Sequence, residues 1–494
     1  MKTKTFYSFV FAISLGVFYF LVLFSNLQRQ LDHDQIVYTN NIRSFFVGKQ
    51  FVNPHHLHFE PTGFYFHKFL TEHFLDYLGT NLMFHLRIRS ILFASIGISA
   101  CFLYLYLLTQ KYLVAFIASM AIGFQHGYLS YAAKNDTGIY PASWLFVMLL
   151  AGLAVYHSRY SIYVSCLAGL VLFAGVMFHE YMVGSCIALF IGLLLPDSIF
   201  QLKIPSVFER IKPIERQLEV SLVKRYISLF FLFLFCFIPT AWVYLWGGRV
   251  VWQLEYNEAL YSFQNWIFGY LVGSPYGRAI TKYIPEYSMR GFTDAFFART
   301  DGIQYNAYTD FQFQLTSLTN PVAVTHTLLP VFILAFLLIL IFFFFPLIRF
   351  YGRNLFILSL HFLFFLFIGV DIEPHYFEFW IIPALLFTVF FALFWNYLAE
   401  KAKDYFVLAP IRTLAGVSLF LSALLVSVHN YQYELILHSR NFKTEGVYGK
   451  IGETSIEYFK SSVNYKYPNE PYKEVDSKLT TTDLRWAYRM CEQW

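Results

Sequence analysis

Residues 6–24 read FYSFVFAISLGVFYFLVLF, a run of 19 residues without a charged side chain. Because an α-helix rises about 1.5 Å per residue, a run of this length can cross the hydrocarbon core of a bilayer, which is about 30 Å thick. The run follows Lys2 and Lys4, and no small-residue pattern of the kind at which signal peptides are cleaved comes after it. It therefore predicts a membrane anchor that stays in the protein.

The rest of the chain has the same character. Of its 494 residues, 57% are hydrophobic, 21% aromatic and only 14% charged, which lies outside the range of ordinary soluble domains. Ten more apolar runs occur, at residues 91–108, 112–129, 142–156, 162–178, 181–196, 227–246, 327–346, 355–370, 379–395 and 413–428. Together the runs predict an all-α polytopic membrane protein with about eleven transmembrane helices, within a range of roughly nine to thirteen.

The basic residues predict how these helices are oriented, because Lys and Arg in short loops resist transfer to the outer side. With the N-terminus inside, the cytoplasmic connections hold Lys111, Arg159, Lys203, Arg210, Lys212, Arg216, Lys224, Arg225, Arg349, Arg353, Lys401 and Lys403. A long first outer loop at 25–90 and a second at 247–326 then lie outside. We therefore divide the chain into a transmembrane domain at 1–429 and a small extracytoplasmic segment at 430–494.

Polar motifs are concentrated in the predicted outer connections. They are LDHDQIVYTNN from Leu31, NPHHLHFEP from Asn53, KNDTGIYP from Lys134, FHEY from Phe178 and DIEPHYFEFW from Asp371. A transporter more often buries its ionisable residues at mid-membrane within repeated helices, and the sequence shows no convincing repeat. The pattern favours a site at the outer interface, where a lipid-borne substrate can present its polar head. The sequence has no P-loop, no dinucleotide-binding glycine pattern and no basic stripe typical of nucleic-acid binding.

In their order and shared side, these motifs resemble the GT-C membrane glycosyltransferases, and most closely the branch of the aminoarabinose and protein-mannosyl transferases. The first outer loop of that family often reads Asp-Glu-x-x-Tyr, and here Asp34 and Tyr38 keep the same interval, with Gln35 in place of the second acid. NPHHLHFEPTGFYF is similar to the family's next stretch through the pair Glu60-Pro61, without the lysine that often follows. AAKNDTGIYPASWLF and HYFEFWIIPALLF resemble later motifs of the family.

The resemblance implies a fold, an activity and a set of residues. The activity is transfer of a sugar from a polyprenyl-phosphate donor to a lipid, glycan or protein acceptor, at the extracytoplasmic face of the cytoplasmic membrane. Asp34 is then the base that accepts the proton of the acceptor, a role worth about 10²–10⁴-fold in rate, with Asp32 and Asp136 as further catalytic acids. The leaving phosphate requires cations, for which Lys134 and Arg278 are the candidates.

A group of histidines raises the separate question of a metal ion. His55, His56, His58 and Glu60 are close enough in sequence to coordinate a divalent ion, and His375 can complete such a site from another loop. The favoured ligands are Glu60, His55 and His58. No HExxH or paired-cysteine pattern fixes the geometry, so the need for a metal cofactor stays open.

Two other functions also stay open. One is a glycan ligase or polymerase similar to the O-antigen ligases, which would depend on the second outer loop and Arg278. The other is a non-enzymatic lipid or glycan transporter, which would move its substrate without forming a glycosidic bond.

Overall fold

A computed structural model describes residues 2–26, 38–39, 42, 59–78, 82–132, 134, 136–196, 199–200, 220–246, 292–293, 295–296, 329–371, 380–402 and 409–431. Within these ranges the regular structure is helical. The α-helices, numbered α1 to α13, are Lys2–Ser25, Phe59–Leu78, Leu82–Thr109, Tyr112–Gly123, His126–Ala132, Ile139–His157, Ile162–Phe178, Val183–Leu194, Leu222–Trp246, Leu329–Tyr351, Arg353–Asp371, Ile381–Lys401 and Ala409–Asn430. A 3-10 turn at Glu180–Met182 precedes α8.

The described helices differ in whether they can cross a bilayer alone. Six are long and apolar enough to do so, and α4 and α5 together can form a seventh, bent crossing. Four shorter apolar helices occur at Ile162–Phe178, Glu180–Leu194, Arg353–Gly369 and Gly416–Asn430. The chain is therefore an integral membrane protein that crosses the bilayer several times, and the predicted number of about eleven crossings stays a prediction.

One predicted crossing differs from a straight helix. The run 112–129 was expected to be continuous, but α4 ends at Gly123 and α5 continues at an angle of 66°. Side chains from three other helices, α1, α12 and α13, form hydrogen bonds at this break. The Tyr19 hydroxyl donates to the carbonyl of Gly123, and the Asn430 amide donates to the carbonyl of Phe124. These bonds satisfy backbone groups that would otherwise be exposed to an apolar environment.

The predicted cytoplasmic connections lie together at one end of the bundle. Arg353 donates to the hydroxyl of Tyr160 and to the carbonyl of Leu195, and Arg225 donates to that same carbonyl. Elsewhere in these connections, Lys111 of α4 forms an ion pair with Glu400 of α12, with 3.2 Å between Nζ and Oε1. The grouping agrees with the orientation that the basic residues predict, since these connections must share one side of the membrane.

The contact of α8 with α11 depends on a glycine. A Cβ atom at Gly184 would overlap the ring of Phe364, so the two helices approach more closely than any larger residue allows. We expect Gly184→Ala to lower the unfolding temperature in detergent, since overpacking of this kind costs about 1–3 kcal/mol. Gly416 of α13 has nothing within 4 Å of the added Cβ, so Gly416→Ala is a matched control. Equal unfolding temperatures for the two variants would contradict this packing.

The orientation can be tested by chemical labelling. In a background without native cysteines, we expect Lys68→Cys on α2 to react with a membrane-impermeant maleimide added to intact cells. Lys68 is exposed at the predicted outer end, whereas Arg159 follows α6 at the predicted cytoplasmic end. Arg159→Cys should react only after the membrane is permeabilised. The reverse pattern would show that the orientation is inverted.

Candidate functional site

Two buried, oppositely charged residues of helices α2 and α3 form the centre of the candidate site. Glu60, in the first turn of α2, has no solvent exposure, and Arg89 of α3 is 1% exposed. The two side chains interact electrostatically. A carboxylate in the first turn of a helix is also favoured by the partial positive charge of the helix N-terminus.

The guanidinium of Arg89 is fixed from one side. Its Nη1 donates to the carbonyl of Phe59 at 2.7 Å and to the hydroxyl of Thr62 at 3.0 Å. Gly63, one turn into α2, makes this possible, because a Cβ there would lie 2.8 Å from that Nη1 atom. In the sequence FEPTG, Phe59 thus supplies a carbonyl, Thr62 a hydroxyl and Gly63 the space for Arg89.

Two aromatic rings cover the guanidinium. Its Cζ atom is 4.5 Å from the ring centroid of Phe59 and 5.0 Å from that of Tyr140, the second residue of α6. The Tyr140 hydroxyl lies 3.0 Å from the hydroxyl of Ser90, which fixes the ring in place. Cation–π contacts of this kind strengthen when water is excluded. The rings therefore hold the arginine at this depth without a solvent shell.

A second acid lies on the far side of Tyr140. Asp136 is 4% exposed and interacts electrostatically with Tyr140. Its carboxylate accepts a hydrogen bond from the backbone N–H of Thr137. The residue before α6 is Gly138, whose position is not capped by a side chain, so Asp136 is not the N-cap of this helix. Glu60, Arg89, Tyr140 and Asp136 form a continuous set of charged and polar groups from three connections, which we call the outer cluster.

The first outer segment meets the outer cluster through two residues. The ring of Tyr38 is 4.9 Å from that of Phe59, and Ile42 lies beside Gly63. Tyr38 is the tyrosine of the motif that begins at Asp34. Asp34 itself lies outside the described residues.

The FHEY motif borders the same region. Phe178 packs against Tyr140 with ring centroids 5.7 Å apart, and His179 and Glu180 are buried in the break between α7 and α8. His179 adopts an extended conformation and stacks on Tyr181. The motif is thus a polar hinge between two short helices, next to the outer cluster.

The predicted site residues fall into two groups. The structure brings Glu60 and Asp136 into the outer cluster, and it describes Lys134 on the same connection as Asp136, half-buried, with Nζ 5.8 Å from the ring centroid of Tyr131. The other predicted residues lie outside the described ranges, namely Asp32, Asp34, His55, His56, His58, Arg278 and His375.

The metal hypothesis finds no support among the described residues. They contain no group of three or more His, Cys, Asp and Glu side chains placed to hold an ion. Glu60, the one predicted ligand that the structure describes, lies beside a guanidinium that would repel a cation. The other favoured ligands, His55 and His58, lie outside the described residues, so the metal site stays a prediction.

Sequence reasoning missed Arg89 and Tyr140. A signal for the first existed, since Arg87 and Arg89 fall at the end of the predicted first outer loop, just where α3 becomes apolar. Basic residues at the outer edge of a span depart from the usual charge pattern. Tyr140 carried no such signal, because aromatic residues are abundant throughout this chain.

A histidine pair joins α2 to α3 near the outer cluster. The Nδ1 atoms of His67 and His85 are 2.9 Å apart, so one ring must donate to the unprotonated nitrogen of the other. Burial and, as a smaller cause, the neighbouring His85 together lower the pKa of His67 to about 4. His67 is therefore neutral at physiological pH.

The outer cluster can perform two kinds of chemistry. Its two carboxylates can accept protons or orient a hydroxyl, and its arginine can bind an anion. Exclusion of water by the surrounding aromatic rings strengthens each of these interactions.

Comparisons with known proteins give similarity to solved structures only. No protein-family model and no curated protein matches the chain. It is similar to the archaeal oligosaccharyltransferase AglB from Archaeoglobus fulgidus, in complex with an inhibitory peptide and a dolichol-phosphate, with 14% identity and a TM-score of 0.48. That match covers 88% of this chain and 56% of AglB, so the chain spans little more than half of AglB. ArnT from Cupriavidus metallidurans, bound to undecaprenyl phosphate, is similar with 12% identity and a TM-score of 0.47, over 87% of this chain and 76% of ArnT. These values assign no activity.

The histidine pair predicts a dependence of stability on pH. The pKa of His67 is lower in the folded protein than the usual value of about 6.5, so between the two values the unfolded chain binds more protons. The contribution of His67 to the free energy of unfolding is then fully present above about pH 6.5 and decreases as the pH falls towards 4. We expect the unfolding temperature in detergent to fall over this window for the wild type and to fall less for His67→Asn.

The exposed His73 lies on the same helix and provides the control. His73→Asn should follow the wild-type curve. An unchanged slope for His67→Asn would show that other groups cause the acid sensitivity.

Proposed function

We propose that this chain is a membrane glycosyltransferase of the GT-C type, which moves a sugar from a polyprenyl-phosphate donor to an acceptor at the extracytoplasmic face of the cytoplasmic membrane. The acceptor is a lipid, a glycan or a protein. The observation that carries the proposal is the outer cluster, in which two buried acids and an arginine converge at one end of a transmembrane bundle.

The cost of burying these groups supports a functional role. Ionised side chains within a membrane-spanning segment are costly and rare, and they usually mark sites of chemistry or transport; Arg89 lies in such a segment. A structural ion pair would need one acid and one base. Here Asp136 adds a second buried carboxylate, joined to the first pair through Tyr140. Two acids and one arginine suit a reaction in which a carboxylate accepts a proton and a cation stabilises a leaving phosphate.

In this proposal Asp34 accepts the proton of the acceptor. The support for this role is that Tyr38, four residues after Asp34 in the same motif, contacts Phe59 at the edge of the outer cluster. Asp32 and Asp136 act as further acids that orient the acceptor or the sugar. The proton moves from the acceptor to Asp34 as the new glycosidic bond forms, and the polyprenyl phosphate leaves with the electrons of the broken bond.

The charge on the leaving phosphate requires cations on the same side of the membrane. Lys134 lies half-buried on the connection that also bears Asp136, so it can approach a phosphate bound near the outer cluster. Arg278 of the second outer loop is the other candidate. Preorganised positive groups in a water-poor site stabilise such developing charge more than they would in water.

Two alternatives make different predictions. A glycan ligase or polymerase with a polyprenyl-diphosphate donor would depend mainly on Arg278 and would tolerate loss of Asp34. A transporter would carry labelled substrate across a vesicle membrane without forming a glycosidic bond.

The proposal is tested by transfer of radiolabelled sugar from a panel of polyprenyl-phosphate sugars to membrane acceptors, with purified protein in detergent. We expect wild-type transfer from at least one donor and a loss of roughly 100-fold or more in Asp34→Asn, because a general base contributes about that much. Asp136→Asn should also lose activity. Glu72→Gln neutralises an exposed carboxylate on α2 that pairs with Lys68, and it should leave activity unchanged.

The possible results separate the three functions. Equal transfer by wild type and Asp34→Asn would remove Asp34 from the mechanism. Activity only with diphosphate donors, lost in Arg278→Gln, would indicate a ligase. No transfer from any donor, together with transport into vesicles, would indicate a transporter.

A further inference from the structure

Arg89 has donors that the described structure does not use. Its Nη1 atom is occupied by the carbonyl of Phe59 and the hydroxyl of Thr62, as described above. Its Nε and Nη2 atoms are buried and make no hydrogen bond to any described residue. Glu60 and Tyr140 interact electrostatically with the guanidinium, and Tyr140 also makes a side-chain hydrogen-bond contact with it, yet Nε and Nη2 themselves have no hydrogen-bond partner.

The unused atoms are those with which arginine binds oxyanions. Nε and one Nη of a guanidinium point in parallel and match two oxygens of a phosphate or carboxylate. Nη1 is held by two acceptors and the ring planes of Phe59 and Tyr140 restrict rotation, so the direction of the Nε–Nη2 edge is fixed. A donor pair that is already oriented loses little conformational entropy when an anion binds.

We propose that the Nε–Nη2 edge of Arg89 binds the phosphate of a lipid-linked substrate. This inference rests on the proposed function, because it names the group that holds the donor headgroup. In that arrangement Arg89 is the main phosphate ligand, and Lys134 supplies additional charge.

No described carboxylate accepts a hydrogen bond from this edge. Three buried acids, Glu60, Asp136 and Glu180, and three cations, Arg87, Arg89 and Lys134, lie in the described connections around the outer cluster. Glu60 interacts with Arg89, and Asp136 accepts a hydrogen bond from the backbone of Thr137. An anion with two or more oxygens can accept from Nε and Nη2 together. Because Arg89 is enclosed, an anion reaches this edge only after a side chain around it moves.

The test measures binding to the full-length protein in detergent by competition with a fluorescent polyprenyl phosphate. The competitors are an unlabelled polyprenyl monophosphate, the same polyprenol without phosphate, and inorganic phosphate. We expect Arg89→Gln to raise the Kd for polyprenyl monophosphate at least 10-fold. Arg89→Lys should raise it less, since a single ammonium keeps the charge but lacks the paired donors. The Kd for the polyprenol should be unchanged, which a folding defect would not allow.

Arg353→Lys is the matched control. Arg353 is also buried and also donates to a backbone carbonyl, but it lies at the opposite end of the bundle. It should bind polyprenyl phosphate as the wild type does, even if it is less stable. A free-phosphate site would show equal competition by inorganic phosphate at low concentration, and that result would overturn the lipid assignment.

The binding result and the transfer result are independent. If Arg89→Gln and Arg89→Lys bind polyprenyl phosphate like the wild type, or if the wild type does not bind it, this inference is wrong. If the wild type binds in an Arg89-dependent way but transfers no sugar from any donor, the phosphate site stands and the proposed function is wrong.

Discussion

The burial of Arg89 is the constraint on which the outer end of the molecule depends. A guanidinium cannot lose its proton in a protein, so its charge has to be compensated where it lies. A buried charged donor without an acceptor costs about 1–3 kcal/mol or more. The compensation comes from the start of α2, whose carbonyl, hydroxyl and carboxylate all approach from one side. The position of α2 against α3 is thus set by a charge, and the glycine at position 63 is the steric condition for it.

The opposite end of the bundle, predicted to be cytoplasmic, uses arginine differently. There Arg225 and Arg353 both donate to the carbonyl of Leu195, and the rings of Tyr160 and Tyr156 cover them. Both arginines act as clamps between helix ends, because the acceptors that the structure describes are backbone carbonyls and a tyrosine hydroxyl. The outer cluster instead combines an arginine with two carboxylates. This contrast between the two ends of one bundle is the physical reason to look for chemistry at the outer end.

Much of the fold follows from hydrophobicity, which a sequence displays directly. Each long uncharged run must form a helix, since no other local structure satisfies its backbone groups in lipid. The partners of a buried charge are not displayed in this way. Glu60 and Asp136 could be named because their motifs resemble those of a family, whereas the sequence analysis did not single out Arg89. The importance of Arg89 depends on which side chains of α2 and α6 contact it. Those side chains are about 30 and 50 positions away in the sequence, so only the packing of the helices reveals the contacts.

The break between α4 and α5 shows the same dependence on distant residues. An apolar run of this length should continue as one helix, because ending it within a membrane leaves carbonyls without donors. The helix ends nevertheless, since Tyr19 and Asn430 supply the donors from the first and last described helices, and Gln125 bonds to Thr388 of α12. Asn430 also donates to the carbonyl of Phe296, which brings part of the second outer loop to this break. The bend therefore places Phe296 next to the bundle beside α12. The polar side chains that stabilise this bend come from distant helices, and no local pattern in residues 112–129 reveals them.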